Sequence, residues 1–304
     1  MKYTPKYDHV NEKEKFTSLI YESLSYLHEF SDLPPPIKKK VSWKLCAAHY
    51  MAIQEGELGN IEEVRKFLNY AEGLKEEKGI EIIPLAENDF SMEKKMIERI
   101  VSDDHLIGYG YCEDKELFLK EKEKIFSSLE TLSRLSPDIY KEIEVFIDSI
   151  YLIQETKDES RFMRSGTNFY MWGMMFIYIH HSHTIPYYME ILAHECAHTA
   201  LNLLNATDEI VLNDATQNYD APFRKDKRPM IGIFHAYFVL SRICYMFNSV
   251  AKVCSDDILE EVVERFEVAK TKLVATSEII EKHANLTKAG LEIHKDIQGA
   301  WGLI

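Results

Sequence analysis

At 304 residues with 46% hydrophobic content, the chain can bury a substantial core as one large or two ordinary domains, and its composition excludes a disordered chain. The net charge of -14 leaves no basic footprint, so neither nucleic acid nor an anionic membrane surface is expected as the main partner. Five cysteines, Cys46, Cys112, Cys196, Cys244 and Cys254, are few, odd in number and without a Cys-x-x-Cys pair, which indicates neither a disulfide framework nor a zinc ribbon.

The first ten residues lack the apolar core of a signal peptide, and the longest apolar run, 171–179, is too short to span a bilayer. A reducing cytoplasm is the expected location. Residues 11–30 read as an amphipathic helix ended by Pro34, Pro35 and Pro36. Helical patterns follow over about 38–57 and 61–78, and 80–84 reads as a short strand or an extended connector. Residues 91–103 and 114–135 are further helices rich in Glu and Lys. The charged runs at 38–40 and 121–124 fit solvated helix faces. Ser136, Pro137 and Asp138 make a helix start, with Ser as N-cap and Pro in the first turn.

From 149 onward the texture changes. Residues 149–154 and 168–180, rich in aromatic and β-branched side chains, suggest strands joined by a polar loop over 155–165. An apolar helix over 187–204, a polar loop over 205–227 and a second apolar helix over 230–247, opened by Pro229, come next. Helical patterns over 256–283 and 286–298 complete the chain, which contains no repeat and no low-complexity tract.

The helix over 187–204 carries His194-Glu195-Cys196-Ala197-His198, a His-Glu-x-x-His pattern. Two histidines four apart lie one above the other on one helix face and can grip a single divalent metal, with Glu195 beside them for proton work or for holding a ligand. The alternative is a core helix with two hydrogen-bonded histidines. The third ligand decides the chemistry. Metzincin spacing needs Gly at 201 and His at 204, where this chain has Leu201 and Leu204, so that subclass is excluded. Glu260, Glu261 and Glu264 keep a carboxylate ligand open. The better candidate is His235, 37 residues beyond His198 and early on its helix, with Gly232 on the same face to let that helix approach a neighbour. Here the alternative is a satisfied core histidine. Upstream, Arg228 and Arg224 offer planar guanidinium groups for bidentate capture of a carboxylate, either a peptide C-terminus or the distal end of 2-oxoglutarate; for Arg224, surface salt bridging is nearly as good a reading. The cluster His180, His181 and His183 fits an exposed strand end or the mouth of the site.

Taken together, the 168–180 segment, the Leu-Ala-His-Glu-Cys-Ala-His block and the 223–238 block with Arg224, Asp226, Arg228, Pro229 and His235 resemble the HExxH-type α-ketoglutarate-dependent peptide β-hydroxylases, associated with ribosomally made peptide natural products. The resemblance covers about 149–250. It implies Fe(II) on His194, His198 and His235, Arg228 and Arg224 anchoring 2-oxoglutarate, O₂ as co-substrate, and hydroxylation at a side-chain Cβ of a precursor peptide, with Glu195 orienting a ligand or metal-bound water. The 168–180 strand would pair with the extended peptide. A zinc metallopeptidase with Glu195 as general base is the second reading, and a metal-free, non-catalytic scaffold the third. The expected fold is α+β and predominantly helical: a helical region over 1–148, suited to peptide recognition, then a metal-binding catalytic domain over 149–304 with a small sheet packed on the motif helix, a zincin-like core.

Overall fold

Residues 5–76, 79–103, 108–155, 165–222 and 225–302 are described by the structure, a computed structural model. Among them the helices are α1 (His9–Phe30), α2 (Trp43–Glu57), α3 (Ile61–Gly73), α4 (Met92–Asp103), α5 (Lys115–Leu135), α6 (Pro137–Phe146), α7 (Ile185–Thr207), α8 (Met230–Ala251), α9 (Asp256–His283) and α10 (Lys288–Trp301). The strands are β1 (Glu81–Pro84), β2 (Ser149–Ile153), β3 (Ser165–Thr167), β4 (Met174–Tyr178), β5 (Asn218–Tyr219) and β6 (Arg228–Pro229). With 65% helix and a small mixed sheet, the fold is α+β and predominantly helical. The chain forms two units, one from 1–9, 123–143 and 183–304, the other from 10–122 and 144–182. The expected division at 148/149 falls inside the second of these. The polar loop expected over 155–165 lies mostly outside the described residues.

In the unit that holds 10–122 and 144–182, the strand order is β1-β2-β4-β3. β1 and β4 run parallel to β2, with Tyr151 opposite both Ile83 and Phe176, and β3 runs antiparallel to β4. β2 and β4 are buried at every position. Central parallel strands covered on both faces read as unbroken apolar runs, which is why these segments lack polar alternation. The single strand expected over 168–180 is divided. Asn168 accepts the Tyr170 N–H through its side chain and starts a 3₁₀ turn, Phe169–Met171. Gly173 then takes φ +104°, where a Cβ would sit 2.9 Å from Asp148 Oδ2, so glycine is required before β4 can begin. Because β4 is hydrogen-bonded to β2 on one side and β3 on the other, it has no free edge over Met175–Ile177 for the peptide pairing expected of it.

Each of the two charged runs expected on solvated faces has members used internally, while Lys38, Lys40 and Glu123 are exposed. α2 starts at Trp43 and not near 38, because Ser42 caps it through its hydroxyl, leaving Lys38, Lys39 and Lys40 on extended chain. Lys39 donates its ammonium to the carbonyls of Glu72 and Leu74, at the end of α3, which stops at Gly73 and short of the expected 78. Glu121 is fully buried, and Lys122 donates to the Ile82 carbonyl at 2.9 Å. Trp43 is also fully buried, its indole N–H bonded to Ser149 Oγ at 3.0 Å.

In the other unit, α8 is 22 residues long and apolar enough to cross a bilayer by length and composition. Two thirds of its apolar stretch is buried inside the protein, and it carries a buried charge. Arg242 Nε lies 3.2 Å from Glu142 Oε2, with both side chains at 2% exposure or less, and the guanidinium stacks on Phe238 at 4.1 Å. Tyr7 donates to Glu142 at 2.9 Å. Burial, reinforced by the Glu142 charge, pushes the Tyr7 phenol well above its ordinary pKa. The expected loop over 205–227 is partly structured. α7 continues to Thr207, Val211 bridges to Leu286, and β5 pairs with β6. A Cβ on Gly290 would meet the Ile210 carbonyl at 2.3 Å, so glycine allows α10 to seat there. All five cysteines are free.

Removing one partner of the buried pair leaves an uncompensated charge. Glu142→Ala is expected to cost about 3–5 kcal/mol in a denaturant melt, while the double variant Glu142→Met/Arg242→Met recovers much of that loss. A melt unchanged by Glu142→Ala contradicts this. A second expectation concerns acid stability. Burial lowers the His49 pKa to about 4, with Nε2 at 2.8 Å from Ser23 Oγ. The unfolded chain, with His near 6.5, therefore binds the proton first, so His49 contributes stability that is full above about pH 6.5 and lost as pH falls toward 4. His49→Gln is expected to shallow that acid limb by about 1–3 kcal/mol between pH 6.5 and 4. Parallel limbs in both proteins would remove His49 from the account.

Candidate metal centre

α7 is set by its own start. Thr184 Oγ1 accepts the Tyr187 N–H at 3.2 Å and Pro186 occupies the first turn. Lys124 donates to the His183 carbonyl at 2.7 Å and Ser128 to that of Ile185 at 3.2 Å, which ties this end of α7 to α5. Sequence reading missed both contacts, since nothing local marks a lysine that will meet a carbonyl 59 residues away. On the adjoining turn, Arg265 joins Glu190 and Glu261 at 2.7 Å each.

The i, i+4 geometry brings His194 and His198 together, with Nε2 atoms 3.2 Å apart. Two imidazole nitrogens held at about 2.0–2.1 Å by one tetrahedral ion stand about 3.3 Å apart. The pair is thus already at chelating separation. A ligand nitrogen must be unprotonated, and burial, with His194 and His235 as neighbours that disfavour a further proton, keeps His198 well below the ordinary histidine range.

His235 joins this pair from α8. Its Nδ1 lies 3.3 Å from His198 Nδ1, and the two rings stack with centroids 5.6 Å apart. Burial lowers its pKa to about 4, so it is neutral at physiological pH. The structure therefore assembles all three histidines, but His235 meets the far nitrogen of His198 and not the Nε2 pair. Among the described residues, no three metal-ligating groups converge. Two ligands of a divalent ion fit as they stand; His235 completes the set only by giving up its contact with His198 Nδ1.

The remaining candidates divide sharply. Glu195 is buried, with Oε1 3.9 Å from His194 Nε2, which keeps its carboxylate beside the pair. Glu261 accepts from Thr184 and Arg265, while Glu260 and Glu264 are exposed. Arg228 is exposed in β6 and its Nε is 2.6 Å from Asp226 Oδ2, so it already holds a carboxylate of this chain. Arg224 lies outside the described residues. Among the described residues Gly232 makes no close approach: the nearest atoms to a Cβ there belong to Arg228 and Pro229, at 3.8–3.9 Å, which is ordinary contact with its own preceding turn. His183 stacks on Tyr187 at 3.9 Å, whereas His180 is bonded to Ser182 Oγ at 2.7 Å.

In comparison with known proteins, the chain matches no family model and no curated protein.

His194→Ala and His198→Ala are each expected to abolish retention of a divalent metal, read as metal per chain after desalting, because each removes one nitrogen of the Nε2 pair at ligand spacing. Stoichiometric metal in either variant would move the site elsewhere.

Proposed function

We propose that this protein is a non-haem Fe(II)/2-oxoglutarate-dependent oxygenase that hydroxylates a side-chain Cβ of a ribosomally made precursor peptide. The observation that carries the reading is the His194–His198 Nε2 pair at 3.2 Å, with His235 against it on the helix that follows Arg228 and Pro229. It is joined by the sequence resemblance over the same blocks. A zincin-like core and a reducing cytoplasmic location belong to the same reading, the second supported by five free thiols. When bound, Fe(II) with 2-oxoglutarate and O₂ supplies the oxidation, with succinate and CO₂ leaving and one oxygen atom entering the peptide C–H bond.

The chain's part is binding and positioning. His194 and His198 would present their Nε2 lone pairs from a rigid helix, and His235 the third. Glu195, buried beside His194, would orient a ligand or a water. Arg228 would hold the distal carboxylate of 2-oxoglutarate in place of Asp226, an exchange of one carboxylate for another on an exposed guanidinium. One observation favours a zinc peptidase as the second reading: Glu195 sits with its carboxylate 3.9 Å from a ligand nitrogen, where a general base would stand.

Metal analysis with a 2-oxoglutarate turnover assay separates the readings. Iron with succinate release supports the oxygenase, zinc with peptide cleavage lost in Glu195→Gln supports the peptidase, and no metal leaves a scaffold. Within the oxygenase reading, Arg228→Lys keeps the charge but loses the fork, and is expected to weaken 2-oxoglutarate by roughly ten- to hundredfold with metal content unchanged. Equal affinity in both proteins removes Arg228 from the site.

A further inference from the structure

In a chain of net charge -14, one cavity is lined by five lysines. It has a volume of about 70 Å³ and lies among α1, the extended chain before α2, the end of α3 and the segment 144–148, all within one unit. Its cations are Lys13, Lys39, Lys40, Lys44 and Lys75. Glu76, Glu144 and Asp148 also line it, leaving two positive charges in excess among the described residues.

The floor is built and the rim is open. Lys13 is 6% exposed, donates to the Val145 carbonyl at 2.7 Å and lies over the Trp172 ring at 5.1 Å. Lys39 is fixed on the end of α3 by two carbonyls, and Asp148 accepts the Trp43 N–H at 3.1 Å. Lys40 and Lys75 are exposed and form no ion pair with any described residue. An ammonium has three donors, so the one bond from Lys13 leaves two for a ligand. Burial lowers the Lys13 pKa to about 8, against the pull of Asp148 and with a smaller contribution from the neighbouring Lys40.

We propose that this cavity binds a phosphate dianion, as inorganic phosphate or as the phosphoryl group of a small phosphomonoester. Two excess charges match a dianion. Lysines supply point charges that suit a tetrahedral oxyanion, and the lining contains no arginine fork of the kind that selects a planar carboxylate. The volume holds about five waters, enough for one phosphoryl group. The site is separate from the histidine centre, which belongs to the other unit, and does not depend on the oxygenase reading.

Calorimetric titration of the full chain with inorganic phosphate and with methyl phosphate, at constant ionic strength, tests this. Wild type is expected to bind at least one of them. Lys40→Gln/Lys75→Gln, at exposed positions, is expected to weaken binding at least about tenfold with thermal melting unchanged in the absence of ligand. Lys38→Gln, beside the cavity but not lining it, should bind as wild type does. Tighter methyl phosphate assigns the ligand to a phosphomonoester, and tighter inorganic phosphate to the free ion. No binding of either by wild type, or equal binding by the double variant, overturns the proposal.

Discussion

The ion pair between Glu142 and Arg242 is the constraint on which the histidine-bearing unit depends. Both charges are removed from water, and each is tolerable only because the other, with the Tyr7 hydroxyl and the Phe238 ring, replaces the lost solvation. Arg242 stands two helical turns beyond His235 on the same face of α8, so the anchor that holds Arg242 also holds the register in which His235 reaches His198. The Cys196 thiol, in the middle of the motif, is pushed up by burial and by the Glu142 charge, which puts α7 within the reach of the same pair. A helix as apolar as α8 would slide freely against its neighbours if shape alone located it. One buried charge with one compatible partner removes that freedom.

The sheet-bearing unit solves a different problem. Its central strands β2 and β4 have no solvated face, and the polar groups around them are there to end segments and not to wet them. Asp148 illustrates this. Its carboxylate takes the first N–H of α2, sits where any side chain on Gly173 would intrude, and borders the lysine-lined cavity. A single acid thus terminates one element, dictates glycine in another and tempers the charge of a third.

What the amino-acid pattern revealed was local. The i, i+4 histidines, the Pro229 start of α8, the span of α9 and the buried strand at 149–153 follow from periodicity and caps within a turn or two. What it concealed depends on distant partners. Glu142 and Arg242 are 100 residues apart, and Lys39 looks like one member of a surface run until α3 ends beneath its ammonium. The reading of Gly232 as a contact residue failed because spacing on a helix identifies a face without saying what lies opposite. Arg228 was legible as a guanidinium near His235 in the chain, yet its partner, Asp226, is only two residues away.

The three histidines also share a proton inventory. A neutral imidazole carries one N–H, yet His198 faces another ring nitrogen from both edges, at 3.2 Å on Nε2 and 3.3 Å on Nδ1. Were a cation held by the Nε2 pair, the His198 proton would reside on Nδ1 and be donated to His235 Nδ1, which would place the His235 proton on its own Nε2. In that tautomer His235 has no lone pair left for a metal. Bracing His198 and ligating the ion are therefore mutually exclusive states of one side chain, and the choice between them is made by where a single hydrogen resides.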